Sequence, residues 1–151
     1  MRLVVTIPES SRRQVTGSRM LAELGSGIEI EVAPIAPMPE DVAAWARSVP
    51  LRDLSGGVAR VEITASHEAK SDLEWPLVVH ESIGLDAAGN HVQRRIHVLF
   101  ILVEHCAMIA LRGTDDAAFT ARRDELLAIA RTGRPEWGVP PGASLEDLLA
   151  T

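Results

Sequence analysis

Five histidines, one cysteine and three of the pairs of adjacent carboxylates are the residues of this 151-residue chain with chemistry to offer. The histidines are His67, His80, His91, His97 and His105. A helical zinc site sets two histidines four residues apart, and a zinc knuckle needs Cys-x-x-Cys; neither spacing occurs. No metal site and no cofactor is therefore expected. His80 and His97 fall on two strand-like stretches and could meet as cross-strand neighbours. With Glu81 or Glu104 they would make a carboxylate–histidine pair, the germ of a small-molecule-binding or hydrolytic pocket. The plainer reading makes them ordinary half-buried or exposed strand residues. Cys106 follows His105 on a strand, where neighbouring side chains point to opposite faces. His105 then cannot orient the thiol as a base would, and Cys106 reads as a buried structural residue.

The carboxylate pairs Glu40-Asp41, Asp115-Asp116 and Glu146-Asp147 each fall in the first turn of an expected helix. There the positive end of the helix dipole explains them without acid–base catalysis. Arg94-Arg95 and Arg122-Arg123 read as solvated faces or salt bridges. Ser55-Gly56-Gly57 precedes a strand rather than a helix, which makes a poor phosphate cradle. No nucleophile elbow, phosphate loop or dinucleotide fingerprint occurs. No catalytic residue is assigned, and the chain is not expected to be an enzyme.

The elements that would position these residues are mostly strands. Leu3, Val5 and Ile7 alternate with polar neighbours up to Pro8, and a polar loop runs from Glu9 to Gln14. Met20–Leu24 and Ile28–Val32 flank Gly25-Ser26-Gly27 as a hairpin, with Glu29 and Glu31 facing water. Three prolines between 33 and 39 preclude regular structure. Pro39 then opens a helix with Glu40 and Asp41 in its first turn, Val42, Trp45, Ala46 and Val49 on its buried stripe and Pro50 at its end. Val61, Ile63 and Ala65 mark a strand, His67 to Glu74 a charged loop, and Leu77 to Ile83 the next strand. A turn at Asp86–Asn90 leads into a long strand, His91 to Val103, whose far half is apolar on both faces. Glu104-His105 turns it into Ala107–Leu111. A closing helix is capped by Thr114, carries Phe119, Arg122, Leu126, Ile129 and Ala130, and stops at Gly133 and Pro135. After it, Leu145, Leu148 and Leu149 line one side of a helix too short to stand alone in water.

Composition narrows the class. The chain is 46% hydrophobic and 24% charged, near globular averages, but only 3% aromatic. Its 21 acidic against 15 basic residues argue against nucleic acid as a partner. No run approaches the roughly 18–20 apolar residues of a membrane span. One cysteine permits no internal disulfide, and the N-terminus lacks the apolar core of a secretory signal. A cytoplasmic protein is expected, with one domain over residues 1–135 and a tail over 136–151.

Gln93-Arg94-Arg95-Ile96-His97-Val98-Leu99-Phe100, the turn before Cys106-Ala107-Met108-Ile109 and the helix ending at Gly133-Arg134-Pro135 carry a resemblance. In that order, after a hairpin and a short helix, they resemble the Mog1/PsbP-like fold, and within it the DcrB-like group that includes the Eag chaperones of type VI secretion effectors. The resemblance implies an α+β architecture with an antiparallel sheet of about six to seven strands flanked by helices. It also implies adaptors rather than enzymes: Eag chaperones cradle apolar helices of effectors as dimers, Mog1 binds a small GTPase, and PsbP-like proteins are accessory subunits of a photosynthetic complex.

The expectation is a protein-interaction module, an adaptor or chaperone of a bacterial secretion or assembly system. Its partner would be a secreted effector or assembly component, and it could form a homodimer. Val98, Phe100 and Leu102 on the doubly apolar strand, with Leu145, Leu148 and Leu149, are the candidate partner-binding residues. The rivals are a small-molecule-binding or hydrolytic protein with His80, His97 and Glu81 in a pocket, and a GTPase-binding regulator.

Overall fold

Residues 2–8, 12–16 and 19–136 are described by the structure, a computed structural model. The elements are β1 (Arg2–Val4), β2 (Arg12–Thr16), β3 (Arg19–Gly25), β4 (Ile28–Val32), β5 (Ala36–Pro37) and α1 (Val42–Arg52). They continue with β6 (Arg60–Lys70), β7 (Pro76–Leu85), β8 (His91–Leu102), β9 (His105–Gly113), α2 (Asp116–Ala121), α3 (Arg123–Arg131) and β10 (Arg134–Glu136). Seven strands form one antiparallel sheet in the order β2-β3-β4-β9-β8-β7-β6, with β5 pairing β9 beside β4 and β1 pairing β10 separately.

Period-two patterning divides this sheet into two faces. Ile96, Val98, Phe100 and Leu102 of β8, Leu77 and Val79 of β7, and Ala107, Ile109 and Leu111 of β9 point one way. Phe119 of α2 and Leu126, Ile129 and Ala130 of α3 cover them, making the main core. The opposite face lies under α1, which contacts β6, β7 and β8.

Several local expectations are corrected. The polar stretch through Arg12–Gln14 is largely β2, because β3 offers it a full pairing edge. The charged residues His67 to Lys70 continue β6, which pairs with β7 as far as Lys70↔Pro76. Charge suits an edge strand because it discourages further pairing. Ala36 and Pro37 pair with Cys106 and His105 despite the proline-rich surroundings. Asp41, not Pro39, sets the start of α1: its side chain accepts from the Ala44 N–H at 3.0 Å. Pro50 does not end α1; it lies buried inside the helix, which runs on to Arg52.

The closing helix is two pieces, capped at Asp115 and broken at Arg122. The Arg122 guanidinium reaches the Leu24 carbonyl (2.7 Å) and Glu125 (2.9 Å), tying the break to the β3–β4 turn. Leu145, Leu148, Leu149 and the pair Glu146-Asp147 lie outside the described residues.

Gly133 serves packing rather than a left-handed cap. A Cβ there would sit 2.5 Å from Cζ of Phe100 and 3.1 Å from the Ala130 carbonyl oxygen. Overpacking of this kind costs about 1–3 kcal/mol. Gly133→Ala is therefore expected to lower the stability measured by urea unfolding by that amount, and an unchanged midpoint would show that the ring has room to move.

Candidate functional site

The face under α1 is buried and polar. Gln93, Arg95 and His97 of β8 alternate with the apolar residues of the core face, and Arg95 and His97 are fully buried. Register then assembles their neighbours: His80 of β7 lies opposite His97, and Ser82 opposite Arg95. Arg112 of β9 lies opposite Arg95, and Glu29 of β4 opposite Arg112.

Like charges directly opposite one another destabilise a strand pair. The compensation for Arg95 and Arg112 descends from α1. Asp53, the residue that closes the helix, accepts from Arg112 Nε at 2.7 Å and from His97 Nε2 at 2.8 Å. Arg112 also reaches Glu31 at 2.8 Å and Glu29 at 3.3 Å. Glu31 is consequently buried rather than facing water. Arg95 touches no carboxylate; it donates to the Pro50 carbonyl at 2.6 Å, to Ser82 Oγ at 3.2 Å and to Gln93 Oε1 at 3.4 Å. The negative end of the α1 dipole faces this guanidinium.

Burial alone would push the Asp53 carboxyl up. Hydrogen bonds from His97, Ser55 and Arg112 outweigh burial and hold it far below the usual carboxylate range. Burial pushes His97 below the ordinary imidazole value, against the upward pull of Asp53. A neutral imidazole beside an acceptor-only carboxylate must carry its proton on Nε2. His97 Nδ1 is then a lone pair, and it has no hydrogen-bond partner. His80 is likewise lowered, by burial and then by His97 and Arg47. Its Nδ1 lies 2.7 Å from Ser66 Oγ, and its Nε2 has no partner.

The expected meeting of His80 and His97 across two strands is present, but the expected carboxylate is not there. Glu81 points to the opposite face, where it binds Arg123 of α3 at 2.6 and 2.8 Å. His80, His97 and Glu81 therefore do not converge on one pocket. The Ser66–His80 and His97–Asp53 contacts remain two separate pairs, whereas nucleophilic catalysis needs serine, base and orienting acid in one chain of contacts. Cys106 is buried, its Sγ lies 3.6 Å from the Pro37 carbonyl, and burial raises its pKa, as befits a structural thiol. Among the described residues no group of three or more His, Cys, Asp or Glu is placed to hold a metal ion.

Beside this network, toward the start of α1, an open groove of about 770 Å³ lies between the helix and strands β6 and β7. Val42, Ala43, Ala46, Val78 and Ile101 supply much of its apolar lining, and His80 stands in its wall. A smaller cleft of about 320 Å³ borders Trp45, Asp53 and Arg112.

Val98, Phe100 and Leu102 do not line a groove. They are 1%, 0% and 4% exposed, inside the core under α2 and α3. Of the doubly apolar run it is Ile101, on the opposite face, that lines the groove. Arg94 pairs with Asp116, Arg122 with Glu125 and Arg123 with Glu81, while Arg95 is fully buried rather than solvated. Asp53, Arg95 and Arg112 were not singled out as site residues. Polar Gln93, Arg95 and His97 on alternate positions, between apolar Ile96 and Val98, are a sequence trace of a buried polar face. Nothing local marks Asp53.

The chain superposes on solved structures of known proteins over most of its length. PsbP from the cyanobacterium Synechocystis matches with a TM-score of 0.59 at 12% identity, over 89% of this chain and 82% of that one. The Ran-binding protein Mog1p from Saccharomyces cerevisiae matches with a TM-score of 0.58 at 10% identity, over 88% and 89%. The fold is Mog1/PsbP-like. At these identities the likeness is one of architecture. No protein-family model and no curated protein sequence matches the chain. Among the described residues no helix of the Mog1/PsbP-like domain is long and apolar enough to cross a membrane.

The buried network sets a pH dependence. His80 and His97 are held below their ordinary value of 6.5, so the unfolded chain binds protons there before the folded one does. Their stabilisation is complete above about pH 6.5 and declines as pH falls below it. Asp53, with its pKa depressed, keeps its contribution until far lower pH. Between pH 7.5 and 5 the unfolding free energy is expected to fall, at up to about 1.4 kcal/mol per pH unit for each histidine. His97→Asn is expected to flatten that slope, and a wild-type slope of zero in denaturant titrations would contradict the assignment. Asp53→Asn, which leaves Arg112 short of a buried counter-charge, is expected to cost about 3–5 kcal/mol.

Proposed function

We propose that this chain is a non-catalytic protein-binding module, an adaptor or chaperone of a bacterial secretion or assembly system in the cytoplasm, and that the groove between α1 and β6–β7 is its docking surface. The observation that carries the reading is the groove itself: largely apolar, open and lined by half-buried residues that the described residues do not cover. Val42, Val78 and Ile101 are neither core nor fully solvated. Exposed concave apolar surface of this kind marks interaction sites. The fold supports a binding role in kind, since Mog1p is named a Ran-binding protein. Placement in the DcrB-like group with the Eag chaperones is part of the same proposal.

The test uses proteins encoded beside this one, co-expressed with it. Ala43 is exposed on the lip of the groove and away from the core. Ala43→Glu is expected to weaken a captured partner at least about tenfold, or ~1.4 kcal/mol, with the melting temperature unchanged. A partner that binds Ala43→Glu as well as wild type would move the docking surface elsewhere. Ester hydrolysis lost in Ser66→Ala would replace the reading with a hydrolytic one. A GTPase-binding role rests on the fold alone, and titration with a small GTPase decides it.

A further inference from the structure

The groove has a charged mouth. The β6–β7 turn, between lining residues Lys70 and Pro76, carries Asp72 and Glu74. The β8–β9 turn, just beyond lining residue Ile101, carries Glu104, whose carbonyl accepts from the Met38 N–H at 3.0 Å. That bond brings the turn against the segment leading into α1, where Glu40 and Asp41 immediately precede lining residue Val42. Glu68 lines the groove itself. These six carboxylates are exposed. The cations near them are Lys70 in the lining, Arg47, whose charge acts on His80 in the groove wall, and Arg131, whose Nε donates to the Lys70 carbonyl at 3.0 Å.

Apart from Asp41, which caps α1 by accepting from the Ala44 N–H, the six are also uncommitted among the described residues. Elsewhere carboxylates are spent on arginines: Glu29, Glu31, Asp53, Glu81, Asp116 and Glu125 all take part in ion pairs. Among the described residues none of the six at the groove mouth does. Two of the chain's exposed large apolar residues stand among them, Leu73 at 64% and Val103 at 82% exposed. The turns that hold them contain left-handed non-glycine residues, Glu74 (φ 65°) and the β-branched Val103 (φ 45°). A β-branched residue in that region is costly, and such outliers persist where the surrounding structure imposes them.

We infer that the groove takes an amphipathic helix of a partner protein that is apolar on one face and flanked by lysine or arginine. The inference rests on the docking surface proposed above and adds the partner's chemistry. Val42, Ala43, Val78 and Ile101 receive the apolar face. The unpaired carboxylates at the mouth, with Leu73 and Val103 among them, receive the basic flanks and steer the approach. The same charge rule argues against the chain's own tail as occupant: residues 137–151 contain Glu146 and Asp147 and neither Lys nor Arg.

The test titrates the full-length chain against three labelled 18-residue peptides by fluorescence anisotropy: an amphipathic Leu–Lys helix, its Leu–Glu counterpart and a Lys–Gln peptide without leucine. The Leu–Lys peptide is expected to bind at least tenfold tighter than either control. Raising salt from about 50 to about 500 mM should weaken it severalfold, because screening shortens to a few ångströms. The double variant Asp72→Lys/Glu104→Lys should lose at least tenfold with an unchanged melting temperature, and Ala43→Glu should lose binding as well. Equal binding of the Leu–Glu peptide overturns the basic-partner inference and leaves the groove standing. Equal binding of the Lys–Gln peptide reduces the site to an acidic patch and overturns the amphipathic part. Failure of all three peptides overturns this inference, while a neighbouring-gene partner still sensitive to Ala43→Glu would preserve the docking surface.

Discussion

Asp53 is the residue on which the polar side of this molecule depends. Two arginines, Arg95 and Arg112, face each other on neighbouring strands of a buried surface, with His97 beside them. No apolar lid could cover that arrangement, because burying unpaired charge costs far more than packing returns. One carboxylate at the end of α1 meets both Arg112 and His97, and the last turn of the same helix offers Arg95 the Pro50 carbonyl. The polar face therefore binds the helix by its C-terminal end, and the helix makes the polar face tolerable to bury.

That arrangement explains why a groove exists. The end of α1 is held down by directional hydrogen bonds to the centre of the sheet. Its beginning lies over β6, β7 and the far end of β8, where the sheet offers Val78 and Ile101 rather than arginines. Val42 and Ala43 are left half-covered or open, and the space beneath them is the groove. On the opposite face α2 and α3 close over Phe100, Ile96 and Leu111. Two helical layers on one sheet thus have different jobs: one seals a hydrophobic core, the other stands on a charged pedestal and leaves an edge ajar.

The strands of the sheet were legible wherever apolar residues alternated or ran together. The hairpin around Ser26-Gly27 and the long pair β8–β9 stand where the pattern puts them. Polar strands were not legible: β2 and the far end of β6 owe their conformation to a neighbour's hydrogen-bonding edge, which composition does not encode. The doubly apolar run Val98–Val103 declared burial correctly but not by what. Val98, Phe100 and Leu102 are core under α2 and α3, while Ile101 on the other face lines the groove beside α1.

The sequence by itself determined the α+β class, the sheet and the absence of any recognisable catalytic or metal motif, because those follow from periodicity and fixed spacing along the chain. It also put His80 and His97 on strands where they could meet, but the pairing itself depends on a one-residue register shift between Gly84 and Leu85, without which His80 would face Ile96. Tertiary structure alone decided which carboxylate His97 meets. Glu81, one residue from His80, is turned to the other face by the strand's two-residue period, whereas Asp53, 44 residues away, is delivered by the end of a helix. The clustering of carboxylates around the groove is likewise a tertiary fact: they come from β6, the β6–β7 and β8–β9 turns and the segment leading into α1, which meet at one end of the folded sheet.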